Sequence, residues 1–222
     1  MITEEELNNA VKAMENNESP GFDGLTTNFY KHFWPLLGEE FIRVYNYSFN
    51  TGLLTVSQRR GIITPLFKKD DRTQLKNWWP VTLLNTYQKI LARALADSLQ
   101  QVLPLIVSSD QTASIKGRTI NDNDGWLTAF IHLERGLRQG CALSMPLYVL
   151  TAETMVSNIR ANPPIHGIGP PDSEEELKLS QYADDTTLLL FDDESIDEAF
   201  NTFDLHERPS GAKINKGKCK GL

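Results

Sequence analysis

The apolar residues of this chain recur first at helical intervals. Leu7, Ala10, Val11 and Met14 fall three or four residues apart, which predicts a short amphipathic helix. Thr3 precedes Glu6 by the spacing of a capping box, so that helix should begin there. Residues 18–24, Glu-Ser-Pro-Gly-Phe-Asp-Gly, read as a turn. A second helical pattern carries Phe29, Phe33 and Trp34, meets Pro35, and resumes through Phe41, Val44, Tyr45 and Phe49. Proline removes a backbone donor and crowds the preceding turn, so a break is expected at position 35. Gly52 is placed to end the helix.

Gly61 to Phe67 is a run of β-branched and aromatic residues and predicts a strand. Pro65 within it confines that strand to an edge or a bulge. Thr86 is placed to cap a helix from Tyr87 to Leu103. Its apolar face would hold Ile90, Leu91, Ala94, Leu95, Leu99 and Val102, and its other face Lys89, Arg93 and Asp97. Residues 104–140 read mostly as loop and short strand. Ser144 starts a further helix to about Arg160, with Pro146 tolerated in its first turn. That helix is apolar enough to be expected buried. After a Pro- and Gly-rich loop at 163–171, Leu177–Leu179 and Thr186–Phe191 flank Tyr182-Ala-Asp-Asp185. Two strands around a tight polar turn predict a β-hairpin. A last helix is expected from about Ser195 to Glu207. The mixture of helices and short strands gives an α+β fold class.

Charge adds a pattern that the total hides. The net charge is −7, from 22 basic and 29 acidic residues, whereas a dedicated nucleic-acid binder is usually basic. Between positions 58 and 93, however, Arg59, Arg60, Lys68, Lys69, Arg72, Lys76, Lys89 and Arg93 face only Asp70 and Asp71. Residues 172–207 are strongly acidic. A local basic surface suited to phosphates is one reading of this segregation, and a solvated helix and strand face is the other.

Cys141 and Cys219 are too few for a disulfide framework and lack zinc-ligand spacing with the four histidines. A reducing compartment, cytoplasm or nucleus, is the default. The first residues, Met1-Ile-Thr-Glu-Glu-Glu, are acidic where a secretory signal would be basic and then apolar. No apolar run is long enough to span a bilayer.

The candidate chemistry lies at Tyr182-Ala183-Asp184-Asp185. Adjacent carboxylates between apolar strands call for neutralisation, which a divalent cation provides. Oxygen ligands suit Mg²⁺, and a two-ion phosphoryl-transfer site uses such carboxylates as its clamp. An acidic turn without any ligand is the commoner meaning of an isolated Asp-Asp pair.

Other blocks stand around that turn. In order they are Ser19-Pro-Gly-Phe-Asp-Gly24, Lys68-Lys-Asp-Asp71, Lys76-Asn-Trp-Trp-Pro-Val-Thr-Leu-Leu84, Asp110-Gln111 and Gly117-Arg-Thr-Ile120. Gly136-Leu-Arg-Gln-Gly-Cys141 and Ser210-Gly-Ala-Lys-Ile-Asn215 follow, then Lys218. Over nearly the whole chain this succession resembles the reverse transcriptases of non-long-terminal-repeat retrotransposons. The resemblance implies the fingers and palm of a right-hand polymerase. Residues 1–57 would be an N-terminal helical extension, 58–123 fingers and 124–222 palm. It implies Asp184 and Asp185 as catalytic metal ligands, for Mg²⁺ or Mn²⁺, with two ions in the family. Tyr182 and Ala183 would lie near the primer end. Arg138, Gln139 and Gly140 would line the nucleotide and template pocket, and Lys68 and Lys69 would reach the incoming triphosphate. Lys218 matches a lysine thought to assist pyrophosphate departure. The implied partners are an RNA template, a DNA primer and deoxynucleoside triphosphates, with no membrane.

The sequence departs from that family in ways that bear on activity. A further metal-binding aspartate is expected on a strand between the Gly117 and Gly136 blocks. Only Asn123 to Gly136 stands there. Asp122 belongs to the tail of the preceding block, and Asp124 abuts Gly125-Trp-Leu-Thr-Ala-Phe130, so an internal deletion is placed near 123–124. Phe200-Asn-Thr-Phe-Asp204 repeats the spacing of the missing motif, but in a predicted helix. Trp79 stands where the family usually has Arg, and Ala142 and Met145 stand where prolines are usual. No block resembling a primer grip, thumb or nuclease follows, which reads as C-terminal truncation. The expectation is therefore a reverse transcriptase domain fragment with an incomplete palm and little or no polymerase activity. The alternatives are a non-catalytic RNA- or DNA-binding remnant and a translated fragment without function.

Overall fold

A computed structural model describes residues 1–108, 111, 141–169, 176–215 and 219. They divide into two compact units. The first holds residues 1–102 and 141–146, and the second holds 103–108, 111 and those from 147 onward.

In the first unit, α1 (Glu4–Ala13) begins as its sequence predicts. The Thr3 hydroxyl accepts from the Glu6 N–H (3.2 Å), and the Glu6 carboxylate accepts from the Thr3 N–H (2.8 Å). Such a cap stabilises a helix by about 1 kcal/mol. The helix buries Leu7, Ala10 and Val11. They pack with Tyr30 and Tyr45 of α2 (Thr27–Thr51) and Ile90, Leu91 and Ala94 of α4 (Thr86–Gln100) in one core. This core draws on residues on both sides of position 57.

The expected break at Pro35 does not occur: α2 runs through it for 25 residues. The reason is tertiary. The rings of Trp34 and Phe41 stack across the proline (centroids 5.9 Å apart, planes 8° apart). Phe41 also stacks on Tyr45 and on Tyr87 of α4. Both halves of the helix are thus held on one core, while Pro35 itself faces solvent. Gly52, at φ 68°, ends the helix as foreseen.

After the one-turn α3 (Val56–Arg59), β1 (Gly61–Phe67) pairs antiparallel with β2 (Trp78–Leu84). The second strand went unforeseen because Pro80 interrupts its pattern. Pro65 and Pro80 face each other in the ladder, so both missing N–H groups fall at one rung of a sheet that has only edge strands.

Thr86 does not cap α4. Asn85 holds the N-cap position, and the Thr86 hydroxyl instead donates to the Leu25 carbonyl (2.6 Å). The predicted turn at 18–24 is docked here. Asn85 Oδ1 accepts from the Asp23 N–H (3.4 Å), and Lys89 Nζ donates to the Ser19 carbonyl (2.7 Å) and pairs with Glu18 (3.2 Å). Of the expected apolar face, Ile90, Leu91 and Ala94 are buried, whereas Val102 lies beyond the helix and is exposed.

The second unit contains the one-turn α5 (Leu103–Ile106), all but the first three residues of α6 (Ser144–Ala161), β3 (Leu179–Tyr182), β4 (Asp185–Leu188) and α7 (Asp193–Ser210). Val156, Ile159, Ile165, Leu179 and Ala199 form its core. The helix α6 is not buried all round. Val149, Ala152, Val156 and Ile159 are covered, while Met145 and Leu147 are exposed. Its apolar composition therefore overstated its burial. The last helix starts two residues earlier than expected because Asp192 caps it, accepting from the Ser195 N–H (2.7 Å). Both cysteines are free. Among the described residues no helix is long and apolar enough to cross a membrane.

Candidate functional site

The Tyr182–Asp185 segment forms the predicted hairpin, in a tighter register than the sequence suggested. Tyr182 and Asp185 are the last paired residues of β3 and β4, so the turn consists of Ala183 and Asp184 alone. Leu177 lies outside the ladder and bridges to Ile168. A two-residue hairpin turn needs positive φ, and Ala183 adopts 51°. For a residue with a Cβ this conformation is unfavourable by about 1–2 kcal/mol, so the surroundings must impose it.

Gln111 does so. Its side-chain Oε1 accepts from the Ala183 N–H at 3.0 Å, in a contact closed to solvent. Gln111 is fully buried and forms a parallel bridge with Gln181 of β3. The buried Gln181 amide donates across the hairpin to the Thr186 hydroxyl (3.1 Å). A buried polar frame thus lies under the turn, and Asp184 and Asp185 are presented outward, both exposed.

Tyr148 of α6 is the other group that senses these carboxylates. Its phenol is pushed above its ordinary pKa, first by burial and then by the negative charges of Asp184 and Asp185. It is therefore a neutral hydroxyl at neutral pH. The sequence pattern gave Tyr148 no signal beyond membership of an apolar helix. Gln111 was visible only as part of its Asp-Gln block, with nothing to indicate its role.

Among the described residues, no third His, Cys, Asp or Glu joins Asp184 and Asp185 in a metal-binding group. Two exposed carboxylates suffice for one Mg²⁺ held jointly with substrate phosphates and water. They do not by themselves make the two-ion clamp.

Lys68 and Lys69 belong to the first unit, at the end of β1, and both are exposed. The Lys68 N–H donates to the Asn77 carbonyl (2.8 Å), and its ammonium lies over the Trp79 ring. Asp70 follows at φ 68°, a conformation that Asp tolerates better than most residues. Arg138, Gln139, Gly140 and Lys218 lie outside the described residues, as do Asp122 and Asp124. Asp204 is an exposed residue of α7.

Residues 123–222 match the reverse transcriptase (RNA-dependent DNA polymerase) family. The chain is also 31% identical, over 288 residues, to the transposon TX1 uncharacterized 149 kDa protein of Xenopus laevis. That similarity takes in all of this chain and 22% of the relative, so the chain spans less than a quarter of the protein it matches. The match to the reverse transcriptase family takes in the Asp-Asp hairpin.

Proposed function

We propose that the chain derives from the fingers and palm of a non-long-terminal-repeat retrotransposon polymerase, and that loss of a palm strand has left it with little or no nucleotidyl transfer. The observation that carries this reading is the Ala183-Asp184 turn. It presents two adjacent carboxylates, and no third ligand joins them among the described residues. The length of the similarity supports the deletion. It extends over 288 residues where this chain has 222.

In an intact site, a primer 3′-hydroxyl displaces pyrophosphate from a nucleoside triphosphate. Divalent ions there neutralise the phosphates and the developing charge on the attacking and leaving oxygens. In this chain Asp184 and Asp185 would hold an ion, Gln111 fixes the turn that bears them, and Tyr182 and Ala183 would meet the primer end. Arg138, Gln139 and Gly140 would face template and nucleotide, Lys68 and Lys69 the triphosphate, and Lys218 the departing pyrophosphate. Trp79 cannot replace the bidentate phosphate contact of an arginine.

Primer extension on a polyribonucleotide template, with Mg²⁺ or Mn²⁺, tests this reading, with Asp184→Ala as control. The expected result is no extension by the soluble, folded chain. Extension that is lost in Asp184→Ala would overturn inactivity and require another carboxylate to complete the site.

A further inference from the structure

Of the two residues in the turn between β3 and β4, only Ala183 has positive φ. That is the pattern of a type II′ turn, whose first position favours glycine because a Cβ crowds the backbone there. The ladder closes between Tyr182 and Asp185, which leaves the Ala183 N–H outside it. Ala183 is buried, and a buried N–H has to be paired. Asp184 and Asp185 follow on the exposed side. Their approach to a common ion depends on a backbone conformation that alanine does not hold by itself.

Gln111 supplies what the local sequence lacks. It is anchored twice on the hairpin. Its main chain bridges to Gln181 in parallel, and its side-chain Oε1 accepts from the Ala183 N–H at 3.0 Å. The bridge sets where the side chain starts, and the side chain reaches two residues further, to the turn. Gln111 is fully buried, so it presents no oxygen to an ion outside. Any influence it has on an ion passes through the backbone of Ala183.

The apparent affinity of a site falls in proportion to the fraction of protein in the binding conformation. We propose that Gln111 is a positioning residue that sets the divalent-ion affinity of Asp184 and Asp185 by holding Ala183 at positive φ. A carboxylate pair that is local in the sequence is thereby conditional on a residue 72 positions away. The proposal rests on the reading of Asp184 and Asp185 as ion ligands. It adds that a glycine at position 183, which takes positive φ without penalty, makes Gln111 dispensable.

The test is a Mn²⁺ titration of the full, isotope-labelled chain, without nucleotide or nucleic acid, read by paramagnetic broadening of the Thr186 and Thr187 amide signals. The parent should bind Mn²⁺ at the turn, and Asp184→Ala should abolish the broadening. Gln111→Leu keeps the bulk and loses the acceptor, and it should weaken binding about 5- to 30-fold. Ala183→Gly added to Gln111→Leu should return the affinity to within about 3-fold of the parent, a recovery that general loosening of the fold would not give. Unchanged amide signals of Val156 and Leu179 show that the core is intact. A parent that binds no Mn²⁺ sinks the ion-ligand reading and this proposal with it. A parent that binds through Asp184, with Gln111→Leu binding equally well or with no recovery from Ala183→Gly, overturns the proposal alone.

Discussion

The Ala183 N–H donates to Gln111 Oε1 at 3.0 Å across 72 residues of sequence. This one bond holds the turn that carries Asp184 and Asp185 in a conformation alanine does not favour. Gln111→Ala would leave the Ala183 donor buried and unpaired. Such an orphan destabilises by about 1–3 kcal/mol. Urea unfolding should show that loss. A change under about 0.5 kcal/mol would mean the turn holds itself.

Gly21 lies against the start of α4. A methyl group there would overlap the Asn85 side chain and its backbone nitrogen. Backbone cannot swing aside, so Gly21→Ala should destabilise the first unit by about 2 kcal/mol or more. Gly24 has φ 70° and open space around it, so Gly24→Ala should show only the conformational penalty of about 1–2 kcal/mol. Thermal melts of the two variants provide the comparison, and equal losses would contradict the close approach at Gly21.

Pro35→Ala should stabilise the chain. An interior proline is unfavourable in a helix by about 3 kcal/mol, offset by about 1 kcal/mol from its stiffer unfolded chain. A net gain of about 1–2 kcal/mol is expected, with unchanged helical content by circular dichroism. A loss of stability would show that the ring contacts depend on a kink at this position.

Stability should fall in alkali. Burial holds the phenols of Tyr30, Tyr45 and Tyr148 protonated above their usual pKa of 10. In the unfolded chain they ionise near 10, so it releases protons that the folded chain keeps. Their contribution is therefore intact below about pH 10 and is lost as pH rises toward the folded values. Melting temperatures between about pH 9 and 11.5 should decline beyond 10. Tyr45→Phe should soften the decline, although it also removes the bond from the Tyr45 hydroxyl to the Tyr87 carbonyl (2.7 Å). A flat profile for the parent would contradict this account.

The sequence by itself determined whatever depends on near neighbours along the chain. Thr3 and Glu6 are one helical turn apart, so their capping box was legible, and so were the stop at Gly52 and the strand from Gly61. The paired aspartates and their turn were legible for the same reason, together with the exposed Lys68 and Lys69. Tertiary structure decided the rest. Pro35 stays helical because Trp34 and Phe41 stack across it. Thr86 gives up capping because the Leu25 carbonyl lies within its reach. Trp78–Leu84 becomes a strand because Pro80 meets Pro65, and Ala183 keeps positive φ because Gln111 lies beneath it. In each case a contact distant in sequence outweighed a local preference of a few kcal/mol at most, and such contacts leave no periodic trace in the chain.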